Sequence, residues 1–109
     1  MKMLIGGSLV KGHAQLDVIN PATGASFITV ERADAAQLEE AVAAAKAAFP
    51  AWAAMGYEAR GALIAKLADA IEAQKEVFAG LLTSEQGKPL AEARGEVDYA
   101  ASFIEFYAE

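Results

Sequence analysis

Cysteine is absent from the 109 residues of this chain, and histidine occurs once. The lack of cysteine excludes disulfides, a thiol nucleophile and cysteine-ligated metals within these residues. The one histidine, His13, stands between Gly12 and Ala14 in a predicted loop, where we expect a solvated surface side chain. Any histidine-based metal site or Ser-His-Asp triad would have to be built around this residue.

Positive charge and long apolar runs are also scarce. The chain has 9 Lys and Arg residues against 15 Asp and Glu residues, for a net charge of −6 at pH 7. This balance predicts neither a nucleic acid nor an anionic lipid as partner. No run of 18 apolar residues occurs, and glycines interrupt the opening MKMLIGGSLV, so we predict no membrane span and no signal peptide. The cytoplasm is therefore the expected location by default.

The residues that are present are typical of one small folded domain. Apolar residues make up 55% of the chain and charged residues 22%, a composition that favours a folded core over disorder. Many of the apolar residues are alanine, which favours helix. The predicted fold class is mainly α with N-terminal β-hairpin or ribbon strands, the strands within residues 1–31 and the helices within residues 34–109.

Turn-forming residues divide the N-terminal segment into four short strands. Gly6 and Gly7 can supply the two positive φ angles of a type I′ hairpin between two strands in residues 3–10. Residues 16–19 and 27–30 are also strand-like. The NPATG sequence between them contains Pro21 and Gly24, which suit a turn.

From Asp34 onward the apolar residues follow a helical period. Asp34 and Gln37 have the spacing of a capping box at the start of a helix. Pro50 is expected to end this helix, with Trp52 in the following connection as an anchor against the core. Further helices are predicted over residues 58–74, over residues 75–86 and from Pro89 to the end. One face of the first helix is apolar and consists of Leu38, Val42, Ala45 and Phe49.

The fourth predicted helix is apolar on most sides, which is typical of a helix buried on most sides. It reaches Glu109 without a C-cap glycine or a basic last turn, so we expect the chain to be interrupted inside a longer element. Its predicted core stripe is Leu90, Val97, Ala101 and Ile104, and four aromatic residues widen that stripe: Tyr99, Phe103, Phe106 and Tyr107.

The EQGKP sequence, residues 85–89, has the Gly-Lys pair found in phosphate-binding loops. A Walker A loop would need a glycine where Leu82 stands and a hydroxyl residue where Pro89 stands, so this interpretation fails. We instead predict a joint between helices, with Gly87 as the left-handed residue after one helix and Pro89 as the first residue of the next. Glu85 either lines the exposed helix end or turns toward strand carbonyls, where it would suit a hard cation.

Four segments together resemble the start of the aldehyde dehydrogenase family. They occur in the family's order and cover residues 4–109, and the last one is most similar to succinate-semialdehyde dehydrogenases. The segments are VINPATGASFITV, AVAAAKAAFPAW, EARGALIAKLADAIEAQ and EQGKPLAEARGEVDYAASFIEFYAE.

The resemblance implies that residues 1–109 are the N-terminal part of the α/β cofactor-binding domain of a protein several hundred residues long. Family members oxidise an aldehyde to a carboxylic acid with NAD or NADP, using a cysteine thiolate and a glutamate. Those residues and the main dinucleotide contacts lie beyond residue 109 in the family. No catalytic or cofactor-binding residue is therefore assigned here, and this segment is expected to be inactive alone, as part of an enzyme that is a homo-oligomer.

The resemblance also implies a structural sodium or potassium ion, which some family members hold near this segment. Its ligands would be the main-chain carbonyls of Val18 and Ile19 and the side chain of Glu85. At least one further family ligand lies outside these residues. A rival hypothesis makes the chain a self-standing helical module that acts through an exposed apolar surface, as an interaction or oligomerisation partner without catalysis.

Overall fold

The structure, a computed structural model, describes all 109 residues. Four strands come first and four helices follow, which confirms the predicted class of a mainly helical chain with an N-terminal β-ribbon. Two compact units are formed, one from Met1–Ile19 with Ala25–Ala54 and one from Asn20–Gly24 with Met55–Glu109. The elements are β1 (Met3–Ile5), β2 (Ser8–Val10), β3 (Ala14–Asn20), β4 (Ala25–Arg32), α1 (Ala35–Ala54), α2 (Tyr57–Glu72), α3 (Lys75–Gln86) and α4 (Leu90–Ala108).

The first hairpin has the turn that its glycines predict. Strands β1 and β2 are antiparallel, with Met3 opposite Val10 and Ile5 opposite Ser8. Gly6 and Gly7 have φ angles of 56° and 80°. A type I′ turn needs positive φ at both positions, so the prediction is confirmed.

Strands β3 and β4 form the second two-stranded sheet, and both are longer than predicted. Asn20 organises the turn between them. Its carbonyl accepts hydrogen bonds from the backbone N–H groups of Thr23 (3.2 Å) and Gly24 (2.8 Å), and its side-chain oxygen accepts one from Ala22 N–H (2.9 Å). Gly24 has a φ of 70°, the left-handed conformation predicted for it.

The predicted capping box is present at the start of α1. The backbone N–H of Gln37 donates to Asp34 Oδ1 (2.9 Å), and the Gln37 side-chain oxygen accepts from the Asp34 N–H (3.4 Å). Two groups that no intrahelical bond could satisfy are thus paired reciprocally.

Two expectations about α1 are wrong. Pro50 lies inside the helix, which continues to Ala54, and Trp52 is therefore helical and partly exposed rather than part of a connection. Proline removes a single hydrogen-bond donor from the ladder. The alanine-rich sequence on both sides, with its high helix propensity, favours continuation of the helix.

The apolar face predicted on α1 is left uncovered by this chain. Leu38, Val42 and Phe49 are exposed within this chain. The less exposed side lies one residue back around the helix and consists of Gln37, Ala41 and Ala44. A Cβ atom on Gly6 would lie 3.6 Å from the Cβ atom of Ala44, so the hairpin reaches the helix through small residues and leaves the large ones uncovered.

In the second unit α4 packs against both α2 and α3. Val97 and Ala101 of the predicted α4 stripe are buried as expected, whereas Leu90 is partly exposed. Small residues let the helix backbones come close together, and a Cβ atom added at Gly61 would collide with the carbonyl oxygen of Ala108. The buried small residues of these helices are Gly61, Ala68, Ala79, Ala93 and Ala101.

The aromatic residues of α4 remain exposed. Tyr99 and Phe103 stack edge to face with ring centroids 4.7 Å apart. Phe106 and Tyr107 form a second edge-to-face pair at 5.3 Å, and each of the four side chains is at least 47% exposed. The residues of this chain therefore leave a large apolar surface uncovered, which is typical of an interaction surface.

Candidate functional site

The joint between α3 and α4 has the predicted local geometry at its glycine. Gly87 ends α3 with a φ of 73°, and its N–H donates to the carbonyl of Thr83 (2.9 Å). Pro89 lies one position earlier than predicted, at the N-cap of α4 (φ −54°, ψ 136°), and Leu90 is the first helical residue. The extended ψ of Pro89 turns the chain sharply, so the two helices are joined by three residues.

The turn between β3 and β4 lies against this joint. A Cβ atom added at Gly87 would be 3.0 Å from Cγ of Pro21. Gly87 is therefore required for two separate reasons, its left-handed backbone and the space that Pro21 occupies. The sequence predicted the first reason and contained no signal for the second, because the two residues are far apart along the chain.

We predict that Gly87→Ala lowers the free energy of unfolding by about 1–2 kcal/mol, because an L-residue is strained at positive φ and its methyl group would press on Pro21. Gly95→Ala is the matched control. Nothing lies within 4 Å of a Cβ atom there, and the residue is inside α4, so this change should stabilise by about 0.5–1 kcal/mol. Urea unfolding followed by circular dichroism measures both, and equal effects of the two substitutions would contradict the assignment.

The three residues predicted to hold a cation are all at least partly exposed to solvent. Val18 and Ile19 are neighbours in β3, the first half-buried and the second exposed, and Glu85 is exposed in the last turn of α3. The Glu85 carboxylate forms no hydrogen bond and no ion pair within the chain. Carbonyl and carboxylate oxygens are the donors that hard cations prefer, so the chemistry of this set fits sodium or potassium. No cluster of three or more histidine and acidic side chains that could hold a metal occurs.

Ion pairs connect α3 with α4. The i, i+4 spacing of Arg94 and Asp98 would allow a contact within α4. Arg94 instead donates to both carboxylate oxygens of Glu76 (2.8–3.1 Å), and Lys75 donates to Asp98 (2.6 Å). Packing of α3 on α4 brings Glu76 and Lys75 close to these residues. A guanidinium can form two parallel hydrogen bonds with one carboxylate. The Arg94 hydrogen bond lowers the pKa of Glu76.

A further ion pair, between Lys88 and Glu96, connects the joint to α4. All of these pairs are partly exposed to solvent, so water screens them and each contributes little to stability.

The single histidine is exposed, as predicted, and it has a partner that the sequence did not indicate. His13 Nδ1 lies 2.6 Å from Oδ2 of Asp34. The hydrogen bond to Asp34 is the main cause of a raised pKa of His13. The pKa of Asp34 is lowered, first by the hydrogen bond from the Gln37 backbone and then by the one to His13.

None of the four helices is long and apolar enough to cross a membrane.

The chain is similar to known proteins over nearly its whole length. The sequence model of the aldehyde dehydrogenase family matches residues 9–109. The chain is 45% identical over 94 residues to glutarate-semialdehyde dehydrogenase of Pseudomonas putida, and 43% identical over 94 residues to the NADP(+) succinate-semialdehyde dehydrogenase of Escherichia coli. Each alignment covers 86% of this chain and 20% of the relative.

The fold agrees with solved structures of the same kind. The crystal structure of succinate-semialdehyde dehydrogenase from Burkholderia pseudomallei superposes with a TM-score of 0.92 at 42% identity, over 98% of this chain and 23% of that one. The strands and helices described above therefore have the arrangement of the N-terminal part of such an enzyme. The chain spans about a fifth of the length of the curated relatives that it matches, and it belongs to the aldehyde dehydrogenase family.

Proposed function

We propose that this chain is the N-terminal portion, residues 1–109 of the NAD(P)-binding domain, of an enzyme that oxidises a short semialdehyde to the dicarboxylic acid. Succinate semialdehyde is the first candidate. The support is the set of similar proteins, whose names are glutarate-, succinate- and aspartate-semialdehyde dehydrogenase. The substrates in those names share an aldehyde at one end of a short chain and a carboxylate at the other.

The chemistry of this family needs residues that the chain does not contain. A thiolate attacks the aldehyde, and NAD or NADP accepts the hydride. With no cysteine among its 109 residues, the chain has no such nucleophile, and we propose that it is inactive by itself. Its contribution would be structural, since α2, α3 and α4 form a packed layer whose uncovered aromatic face suits burial against further polypeptide.

We also propose that the carbonyl oxygens of Val18 and Ile19 and the carboxylate of Glu85 help to hold a structural sodium or potassium ion. The support is the free carboxylate of Glu85 and the all-oxygen donor set. The remaining proposals are a homo-oligomeric enzyme and a cytoplasmic location. They follow from the family resemblance and from the acidic composition.

The second candidate function is a self-standing interaction module. The exposed aromatic residues of α4 favour it as much as they favour a larger enzyme. The family match over nearly the whole chain favours the enzyme.

Reading the gene past codon 109 and assaying the protein it encodes separates the two candidates. We expect an open frame that continues into a βαβ pattern with a cysteine nucleophile. The complete protein should reduce NADP or NAD faster with succinate semialdehyde than with acetaldehyde, and the 109-residue chain should give no reduction with either aldehyde.

Three outcomes contradict parts of this proposal. A stop codon directly after Glu109, with a stable dimer by light scattering, supports the interaction module instead. Faster turnover of acetaldehyde removes the semialdehyde specificity and leaves the family assignment intact. Cofactor reduction by residues 1–109 alone overturns the claim that they are inactive.

A further inference from the structure

The connection between β2 and β3 is held against the start of α1 by a cluster of polar contacts. Gln37 is at its centre and is only 5% exposed. Its side-chain oxygen accepts from the backbone N–H groups of His13 (3.2 Å) and Asp34 (3.4 Å), and its side-chain nitrogen donates to the carbonyl of Lys11 (2.8 Å). One buried amide thus joins the connection to the helix N-terminus, and every polar atom of that amide has a partner.

A second contact runs parallel to this amide and carries charge. Asp34 uses one carboxylate oxygen to cap Gln37 N–H and the other to bind His13 Nδ1. The same carboxylate is therefore both the helix cap and the acceptor for the imidazole. Protonated imidazole strengthens the hydrogen bond because both partners are then charged.

We propose that His13 and Asp34 form a pH-responsive clasp between the β2–β3 connection and the N-terminus of α1. The Gln37 amide is its permanent part and does not titrate. The imidazole of His13 is its variable part. Its hydrogen bond to Asp34 is stronger when the imidazole is protonated and weaker when it is neutral.

The charged groups around the imidazole all act in one direction. Asp34 favours the protonated form most strongly, and Glu40 of α1 adds a smaller contribution of the same sign. Glu31, at the end of β4, accepts a hydrogen bond from the N–H of Gly12 beside the histidine (2.7 Å). No basic residue is among the causes of the raised pKa of His13.

The pH range of the clasp follows from these directions. The pKa of His13 is raised, so its contribution is complete below the ordinary histidine value of about 6.5 and is lost as pH rises through the raised value. The pKa of Asp34 is lowered, so its contribution is present above the ordinary aspartate pKa and is lost as pH falls through the lowered value. The clasp is therefore tightest in mildly acidic solution, and both side chains are exposed enough for salt to weaken it.

Proton NMR tests the clasp in the protein as it is expressed, with the His13 imidazole resonance assigned as the one that disappears in His13→Asn. The imidazole resonance should titrate above the ordinary value in the unmodified protein. In Asp34→Asn, which keeps a capping side chain and removes the charge, the midpoint should shift downward toward that value. Glu40→Gln is the matched control and should shift it less.

The backbone amide resonance of Gln37 provides the second reading. We expect it to titrate with the same midpoint as the imidazole, because a change at the shared carboxylate alters the cap, and to lose that transition in His13→Asn. A histidine midpoint that is the same in the unmodified protein and in Asp34→Asn overturns the proposal. A chemical shift of the Gln37 backbone amide that does not change as His13 titrates also overturns it, since the ion pair would then be an isolated surface contact.

Discussion

Ala101→Leu should lower the free energy of unfolding by about 1–3 kcal/mol. Ala101 is 0% exposed and lies on the face of α4 that packs in the second unit. Leucine has a helix propensity close to that of alanine, so the backbone preference changes little. The extra carbon atoms have no space and must push apart helices that are in contact through small residues.

The neighbouring residue supplies a matched control for this experiment. Ala100 is exposed in the same helix, so Ala100→Leu introduces the same atoms where solvent can accept them and should change stability by less than about 0.5 kcal/mol. Urea unfolding followed by circular dichroism at the helical band compares the two. Similar midpoints for both variants would show that the contact face of α4 is not the one described.

Gly12→Ala should destabilise the first unit by about 1–3 kcal/mol. An added Cβ atom would lie 2.7 Å from the backbone nitrogen of Arg32 and would collide with its carbonyl oxygen. Main-chain atoms cannot rotate away as a side chain can, so the β2–β3 connection would have to move. That movement would also strain the hydrogen bond from Gly12 N–H to Glu31.

The fluorescence of Trp52 can report the loss of stability in the first unit. Trp52 lies in α1 of the first unit, and its fluorescence during urea unfolding should show a lower midpoint for Gly12→Ala. Gly80→Ala in the second unit is the control, because nothing lies within 4 Å of a Cβ atom there, so the midpoint reported by Trp52 should not fall. A Gly12 variant as stable as the unmodified chain would mean that the connection lies farther from Arg32 than the structure places it.

Local chemistry made several parts of the fold predictable. The glycine pair of the first hairpin, the Asn20 turn, the capping box at Asp34 and the left-handed Gly87 each depend on residues only a few positions apart. Such motifs satisfy backbone groups or φ requirements that the residues themselves determine. Element types were therefore predictable wherever a motif was complete within one short segment.

Packing between segments was predicted less well. Pro50 was expected to end α1, yet the surrounding alanines continue the helix, and the large apolar residues of α1 lie on the side that this chain leaves exposed. A hydrophobic pattern reports which side of a helix is apolar. It does not report which neighbour is available to cover that side, and here the nearest neighbour, β1, packs on the alanine side.

In the candidate site too, features set by local sequence were predictable and contacts between distant residues were not. Family membership followed from short motifs in their order, and the absence of cysteine followed from composition alone. The partners of Arg94, Asp98 and His13 were beyond reach, because the residues that meet them are 18 to 23 positions away along the chain. Nothing in the local sequence specifies a contact at that separation.

The sequence by itself determined the hairpin turns, the helix start at Asp34, the end of α3 and the family, because each rests on chemistry within a few consecutive residues. Only the tertiary structure decided which face of α1 is covered, that Pro21 fills the space beside Gly87, and that one carboxylate serves both the α1 cap and His13. Those arrangements depend on how close two distant backbones come, and small residues set that distance only after the chain has folded.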